Sequence, residues 1–380
     1  MSERVYLDFN ASAPVKPEVT EAVAAAMRLG GNASSVHGEG RAARQRIEEA
    51  RDSLCQLLGC APGEVIFTSG GTEANNLALG GVDAASVMVS AIEHDSVLAA
   101  AQASGKPWRT LAVDAAGLVL MEELEAVLEA SVAPVLVSIM LANNETGVIQ
   151  PISKIADLIH SRGGILHTDA IQAVGKIPLD FATLGADLLS LSGHKMGGPQ
   201  GVGALIVRPG VGLRALMVGG GQEMRRRSGT ENMPAIAGLG VAAELALDDI
   251  KMAPRIEKLR DGLEMRMQKL CGHIRFFSKD AARLPNTANF TMPGVRSEIQ
   301  VMALDLEGVA VSAGAACSSG KVTTSRVLLA MGASEEEAAS GIRVSLGPTT
   351  SGDHVDRLVG AWRELWERKC AANSAKAAAG

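Results

Sequence analysis

Short apolar runs alternate with stretches of helical periodicity between residues 65 and 207, and this alternation constrains the fold more than any other feature. The runs predicted to be strands are 65–67, 87–90, 135–140, 164–168, 188–192 and 204–207, and the helical stretches between them include 73–79, 121–128 and 152–160. Strands that alternate with helices form a mostly parallel sheet with helices on both faces. We therefore predict an α/β fold.

The chain is long enough for a second, smaller domain beside this sheet. At 380 residues it exceeds the usual size of a single core. After three glycines at 219–221 the pattern changes to a long helical region, followed by strand candidates at 287–291 and 309–312. We predict a large domain of residues 15–250 and a small α+β domain of residues 1–14 and 251–380. The Ala-rich end, 370–380, is expected to fray.

Charge and cysteine content exclude several classes of protein. A net charge of -6 argues against nucleic acid as a direct partner, and no apolar run reaches the length of about 20 residues that spans a bilayer as a helix. The start of the chain has no basic region followed by an apolar run, so we expect no export signal there. Five cysteines without a paired spacing predict neither a disulfide framework nor a metal site. A cytoplasmic protein is the expectation.

A polar, glycine-rich turn separates the last two predicted strands and contains Lys195. A lysine held at the end of strands can lose its proton and form a Schiff base with a carbonyl, which is how pyridoxal 5'-phosphate (PLP) is anchored. A solvated lysine in a surface turn is the alternative. The other residues at the strand ends must decide between the two.

Polar groups follow four other predicted strands. Gly71 and Thr72 stand between a strand and a helix, where backbone N–H groups can bind an anion or where a threonine simply caps the helix. Asp169 directly follows an apolar strand, and its burial would be costly unless it met a cation such as a protonated pyridine nitrogen; capping the next helix is the alternative. His94 and Asn144 follow two further strands. Such strand ends meet at one edge of a sheet, where we expect one site.

Ten motifs between Tyr6 and Gly347 carry a resemblance to a known family. They are YLDFNASAP, GNASSVHGEGR, TSGGTEANN, EHDSV, ANNETGV, HTDAIQAVGK, SLSGHKMGGPQGVGAL, GGGQEMRRRSGTEN, SAGAACSSG and GIRVSLG. In order and spacing they resemble the cysteine desulfurases of the NifS/IscS-like branch of the class V aminotransferases. These are PLP-dependent enzymes of fold type I, with a large PLP-binding domain and a smaller one.

The resemblance implies cofactor-binding roles at nine positions. Lys195 would carry PLP, Asp169 would face the ring nitrogen N1, and Gln172 would donate to the ring oxygen O3. His94 would stack on the ring and also act in catalysis. The residues expected to hold the phosphate are Gly71, Thr72, Ser192 and His194, with Thr230 reaching across from a neighbouring subunit. A homodimer is therefore implied.

The remaining implied roles concern the substrate, L-cysteine. Asn144 and Arg343 would hold its carboxylate, which a planar guanidinium grips through two parallel hydrogen bonds. Cys317 stands among small residues that predict a loop, where a thiolate nucleophile would have access. Lys195 would remove the Cα proton and Cys317 would attack the substrate sulfur. The products would be L-alanine and a persulfide on Cys317.

The fate of the sulfur stays open at this level. An iron–sulfur scaffold protein is the implied kind of acceptor, but residues 369–380 show no counterpart of the C-terminal segment with which IscS-type enzymes dock one, and Phe9 replaces the usual Asn of the first motif. A selenocysteine lyase, or another PLP enzyme of this family, is the alternative function. A nucleotide-binding module is disfavoured, because the chain has neither G-x-G-x-x-G nor a Walker lysine.

Overall fold

The computed structural model describes residues 4–314 and 324–379, with side chains as far as residue 371 and at residue 374. Its strands are β1 (Val5–Tyr6), β2 (Val65–Thr68), β3 (Ser86–Ser90), β4 (Trp108–Leu111), β5 (Val135–Ser138), β6 (Ile165–Asp169), β7 (Leu188–Ser192), β8 (Gly203–Val207), β9 (Thr287–Thr291), β10 (Val309–Ala310), β11 (Ser312–Ala313) and β12 (Gly341–Ser345). Its helices are α1 (Pro17–Leu29), α2 (Gly38–Leu58), α3 (Gly71–Gly81), α4 (Asp95–Ala103), α5 (Met121–Glu129), α6 (Ile152–Ser161), α7 (Phe181–Leu184), α8 (Met233–Lys251), α9 (Ala253–Leu270), α10 (Ser297–Leu306), α11 (Arg326–Ala330), α12 (Glu335–Ser340) and α13 (Gly352–Ala379).

The largest sheet in these residues has seven strands in the order β2-β8-β7-β6-β5-β3-β4. The strands from β7 to β4 run parallel, and β8 is antiparallel to both of its neighbours. All six predicted strands lie in this sheet. The sequence pattern missed β4, because an edge strand needs no continuous apolar run and the first three residues of β4 are exposed. The predicted α/β class is confirmed.

Helices cover both faces of the sheet, as its sequence pattern requires. In β2, Val65 and Phe67 join one apolar core with Ile47 of α2, whereas Ile66 points to the opposite core with Leu77 of α3. Side chains of a strand alternate between faces, so a strand buried on both sides reads as a continuous apolar run. Helix α2 begins where the His37 side chain accepts from Gly40 N–H and ends at Gly59 in the left-handed conformation.

A third apolar core joins the two ends of the chain. It contains Val5 and Leu7 from the N-terminal segment together with Phe290 of β9 and Trp362 of α13. Strands β11, β12 and β9 form an antiparallel sheet over it, while β1 pairs with β10. The division of the chain into two domains at residue 250 remains a prediction. The presence of this separate core supports it. Residues such as Phe277 pack into the first core instead.

The last helix extends farther than the sequence pattern indicated. Helix α13 runs to Ala379, whereas we expected the chain to fray from residue 370 onward. Alanine has the highest intrinsic helix propensity, so an Ala-rich end can remain helical without an apolar face. No helix in the described ranges combines the length and the apolar character needed to cross a bilayer.

Candidate active site

A cavity of about 410 Å³ lies at the carboxyl ends of the parallel strands. Ten of the twelve residues that the sequence nominated line it: Gly71, Thr72, His94, Asn144, Asp169, Gln172, Ser192, His194, Lys195 and Arg343. Asn10, Ala11 and Ser96 line it as well. Its volume suits a ligand the size of a cofactor with a small substrate.

Lys195 is held at the cavity by the N-terminal segment of the chain. Its Nζ donates to the backbone oxygens of Asn10 and Ala11, at 2.8 and 2.9 Å. The turn that carries it folds back tightly: a Cβ on Gly198 would lie 2.9 Å from the Gly193 oxygen. A glycine is needed there, and the lysine is consequently fixed just beyond the end of β7.

Asp169 is a buried carboxyl group at the end of β6. Burial raises the pKa of Asp169, while hydrogen bonds from Ile171 N–H and from the Asn75 amide, with the positive charge of Lys195, act in the opposite direction. The Asn75 Nδ2 lies 2.8 Å from Asp169 Oδ2 and 2.9 Å from Ser96 Oγ. Asn75 is a site residue that the sequence did not nominate, although it stands in the TEANN motif.

His94 forms the N-cap of α4 and is oriented through Ser96. Its Nδ1 accepts from Ser96 N–H at 3.0 Å, so the neutral ring carries its hydrogen on Nε2. The preceding Glu93 is almost completely buried, and burial, with a further contribution from the Asp169 charge, raises the pKa of Glu93 to about 8. Glu93 is consequently largely uncharged at neutral pH and adds little negative charge beside Asp169.

Gly71, Thr72, Ser192 and His194 meet at the N-terminus of α3. A Cβ on Gly71 would lie 2.1 Å from the Ile171 Cδ1, so a side chain there would displace the end of the Ile171 side chain. The first backbone N–H groups of a helix have no partners within it and form an anion site. Burial, followed by the charges of Lys195 and Lys176, lowers the pKa of His194 to about 4. His194 is thus neutral at physiological pH and acts as a hydrogen-bonding group.

Arg343 of β12 is oriented by an aspartate that the sequence did not nominate. Its Nη2 donates to Asp8 Oδ1 at 2.7 Å and its Nη1 to the backbone oxygen of Asn144 at 3.1 Å. The Nε of Arg343 is buried and has no hydrogen-bond partner among the described residues. Asp8 also accepts from Ser312 Oγ at 2.7 Å. Arg343 lines the cavity, and each of its terminal nitrogens keeps a second N–H that suits a carboxylate.

Gln172 is connected to Asn10 and Lys176. Its Nε2 donates to the Asn10 backbone oxygen at 2.9 Å, and its Oε1 accepts from Lys176 Nζ at 2.5 Å. Each amide nitrogen has two hydrogens, so one N–H of Gln172 remains for a ligand. Neither Asn10 nor Lys176 was nominated from the sequence, although both stand in quoted motifs.

Two nominated residues do not line this cavity. Thr230 is exposed and lines a separate cavity together with Ser69 and Arg227. Cys317 lies outside the described residues. The described residue Ser325, which follows that part of the chain, donates from Oγ to Glu145 Oε2 at 2.6 Å, and Glu145 adjoins Asn144.

Comparisons with known proteins agree with this geometry. The family described as "Aminotransferase class-V" matches residues 5–358. A cysteine desulfurase of Trichormus azollae is 40% identical over 96% of this chain and 93% of its own length, and "Cysteine desulfurase IscS" of Dictyoglomus turgidum is 39% identical over 97% and 96%. The solved structure of a NifS-like protein from Rickettsia africae superimposes with a TM-score of 0.89 at 36% identity, covering 96% of this chain and 100% of that one.

Proposed function

This chain belongs to the class V aminotransferase family and is a PLP-dependent cysteine desulfurase, and from this premise we propose which of its residues carry out the reaction. The observation that carries the proposal is that Lys195, Asp169 and Arg343 line one cavity. Lys195 and Asp169 come from two strand ends of the large sheet, and Arg343 comes from β12. These residues are distant along the chain, so only the fold brings them together. An amine, a buried acid and a guanidinium are the groups that this chemistry needs.

The described side chains fit PLP. Asp169 offers a buried carboxyl group for a positively charged ring nitrogen, and the start of α3 offers backbone N–H groups for a phosphate. When bound, PLP supplies a ring that accepts the electrons released from the substrate Cα–H bond. We assign the phosphate to Gly71, Thr72, Ser192 and His194.

Lys195 is the base in this proposal. Its Nζ accepts the proton from the substrate Cα, and the backbone oxygens of Asn10 and Ala11 stabilise the ammonium that results. Arg343, held by Asp8, binds the substrate carboxylate with the Asn144 side chain and so orients the Cα–H bond. His94 and Gln172 contact the cofactor ring.

Cys317 is the proposed nucleophile. Its thiolate sulfur attacks the sulfur of L-cysteine, a new S–S bond forms, and the Cβ–S bond of the substrate breaks. The carbon fragment takes up protons and leaves as L-alanine, while the transferred sulfur stays on Cys317 as a persulfide. One cysteine and one thiol thus become one alanine and one persulfide, so no external oxidant or reductant is required.

We further propose a homodimer and an external sulfur acceptor. Thr230 is exposed, and this exposure supports the proposal that Thr230 completes the phosphate site of a second subunit. The IscS name of a relative supports delivery of the persulfide sulfur to an iron–sulfur scaffold by thiol exchange. A reducing, cytoplasmic location agrees with the free thiols of Cys55, Cys60, Cys271 and Cys370.

The test measures both products in one sample. Purified protein with PLP is incubated with L-cysteine, and the alanine formed is quantified. Mass spectrometry then determines whether the peptide that contains Cys317 has gained one sulfur atom. We expect alanine and persulfide in equal amounts in a single turnover without acceptor. Alanine without any protein persulfide would refute the role of Cys317. A kcat/KM far higher for L-selenocysteine than for L-cysteine would favour the selenocysteine lyase alternative.

A further inference from the structure

Lys176 is a lysine beside the active site that the proposed reaction does not use. It lies four residues after Gln172 in the turns that follow β6, and its Nζ donates to Gln172 Oε1 at 2.5 Å and to Asn10 Oδ1 at 2.9 Å. Both of these acceptor residues are buried. No carboxylate forms an ion pair with Lys176 in the part of the chain that the structure describes. Its two acceptors are therefore side-chain amide oxygens.

These contacts leave one orientation for the Gln172 amide. Lys176 can only donate when charged and still has N–H groups to donate when neutral, so the amide oxygen on its side satisfies it in both states. On the other side the backbone oxygen of Asn10 can only accept, so it requires the amide nitrogen. The two requirements agree. Because the amide group is planar, the second N–H of Gln172 also has a defined direction.

Lys176 is itself held by a rigid partner. The Oδ1 of Asn10 accepts from both Lys176 and Asn286 Nδ2, and the Nδ2 of Asn10 donates to Thr287 Oγ1 at 2.9 Å. Asn10 is completely buried. Burial, and to a lesser degree the charges of Lys195 and Arg343, holds the pKa of Lys176 well below its usual value. A neutral amino group has two N–H groups, which are enough for the two hydrogen bonds of Lys176.

We propose that Lys176 is a positioning residue that fixes the Gln172 amide so that its remaining N–H is directed at the bound cofactor. This inference rests on the proposed contact between Gln172 and the PLP ring and adds the group that orients it. Without Lys176, the buried Gln172 oxygen loses its partner, and only the hydrogen bond to the Asn10 backbone oxygen still restrains the amide. Gln172 then spends less time as a donor to the cofactor.

The test is a double-mutant cycle on PLP binding by the apoenzyme. Its members are the wild type, Lys176→Met, Gln172→Ala and the double variant, with the dissociation constant of PLP and its visible absorption maximum as readouts. Lys176→Met is expected to weaken PLP binding about tenfold, from the loss of one buried hydrogen bond, and to shift the absorption maximum. In the Gln172→Ala background the same substitution should change the dissociation constant by no more than about twofold and leave the absorption maximum in place.

Lys16→Met is the matched control. Lys16 lines a second cavity that also contacts Lys176, but it forms an ion pair with Asp249 at 2.6 Å. The Lys16→Met variant should bind PLP with the dissociation constant of the wild type. Should Lys176→Met fail to fold, Lys176→Leu, which also has no donor, takes its place in the cycle with the same expected dependence on Gln172.

Equal effects of the Lys176 substitution with and without Gln172 would overturn the inference, as would wild-type PLP binding by Lys176→Met. The cycle measures cofactor binding and not sulfur release. A protein that shows the expected coupling but forms no persulfide on Cys317 would contradict the proposed nucleophile and leave the role of Lys176 intact.

Discussion

Replacement of Asp169 by asparagine should separate the stability of the apoenzyme from the activity of the holoenzyme. An ionised carboxylate near a positively charged ring nitrogen contributes about 4 kcal/mol at 4 Å and an effective dielectric constant of 20. Asparagine keeps the shape of the side chain and removes this charge. The kcat/KM for L-cysteine is therefore expected to fall about 10³-fold in Asp169→Asn.

The fold should tolerate this substitution. The Oδ1 of Asn75 is buried and has no partner among the described residues, so a rotated Asn75 amide could accept from the introduced amide, while the Ser96 hydroxyl reverses its hydrogen bond. Burial raises the pKa of Asp169, so its ionised form destabilises the apoenzyme once the pH exceeds the unfolded value of 3.8. At pH 7 the Tm of apo-Asp169→Asn should equal or exceed that of the wild type. The difference should shrink as the pH falls toward 4.

Asp187→Asn is the matched control for this experiment. Asp187 Oδ2 accepts from Leu166 N–H and contacts His160 Nε2, both at 2.8 Å, before the start of β7 and therefore away from the cavity. The Asp187→Asn substitution should lower the free energy of unfolding by about 1 kcal/mol and leave kcat unchanged. Calorimetry of the apoenzymes and steady-state alanine formation provide the two readouts. If the two variants behave alike, or if Asp169→Asn retains wild-type activity, the assignment of Asp169 to the ring nitrogen is wrong.

Three further substitutions test the other roles. Lys195→Ala should abolish alanine formation while the melting temperature of the apoenzyme stays within a few degrees, and normal turnover by this variant would refute the role of the lysine. Cys317→Ser should bind PLP and L-cysteine yet form no persulfide, whereas Cys370→Ser, at an exposed free thiol, should match the wild type in persulfide mass spectrometry. Arg343→Lys should raise KM about 10- to 100-fold with a smaller effect on kcat, because lysine cannot reproduce the planar fork; an unchanged KM would contradict carboxylate binding.

The sequence by itself determined the class of the fold and most of the cavity. Strands buried on both faces need continuous apolar runs, and the turns at their carboxyl ends carry the polar residues that a site requires. Lys195 and Asp169 could be nominated for this reason, and the family motifs added Gln172 and Arg343. All four line the cavity.

The tertiary structure alone decided which side chains orient these groups. Asp8 and Arg343 are 335 residues apart and Asn75 and Asp169 are 94 apart, and no local pattern indicates either pair. The contacts of Lys176 also depend on tertiary structure: Gln172 is only 4 residues away along the chain, but the second acceptor, Asn10, is 166 residues away. Periodicity reports the face on which a residue lies, whereas a hydrogen bond depends on distances of a few tenths of an ångström that arise only when distant segments pack together.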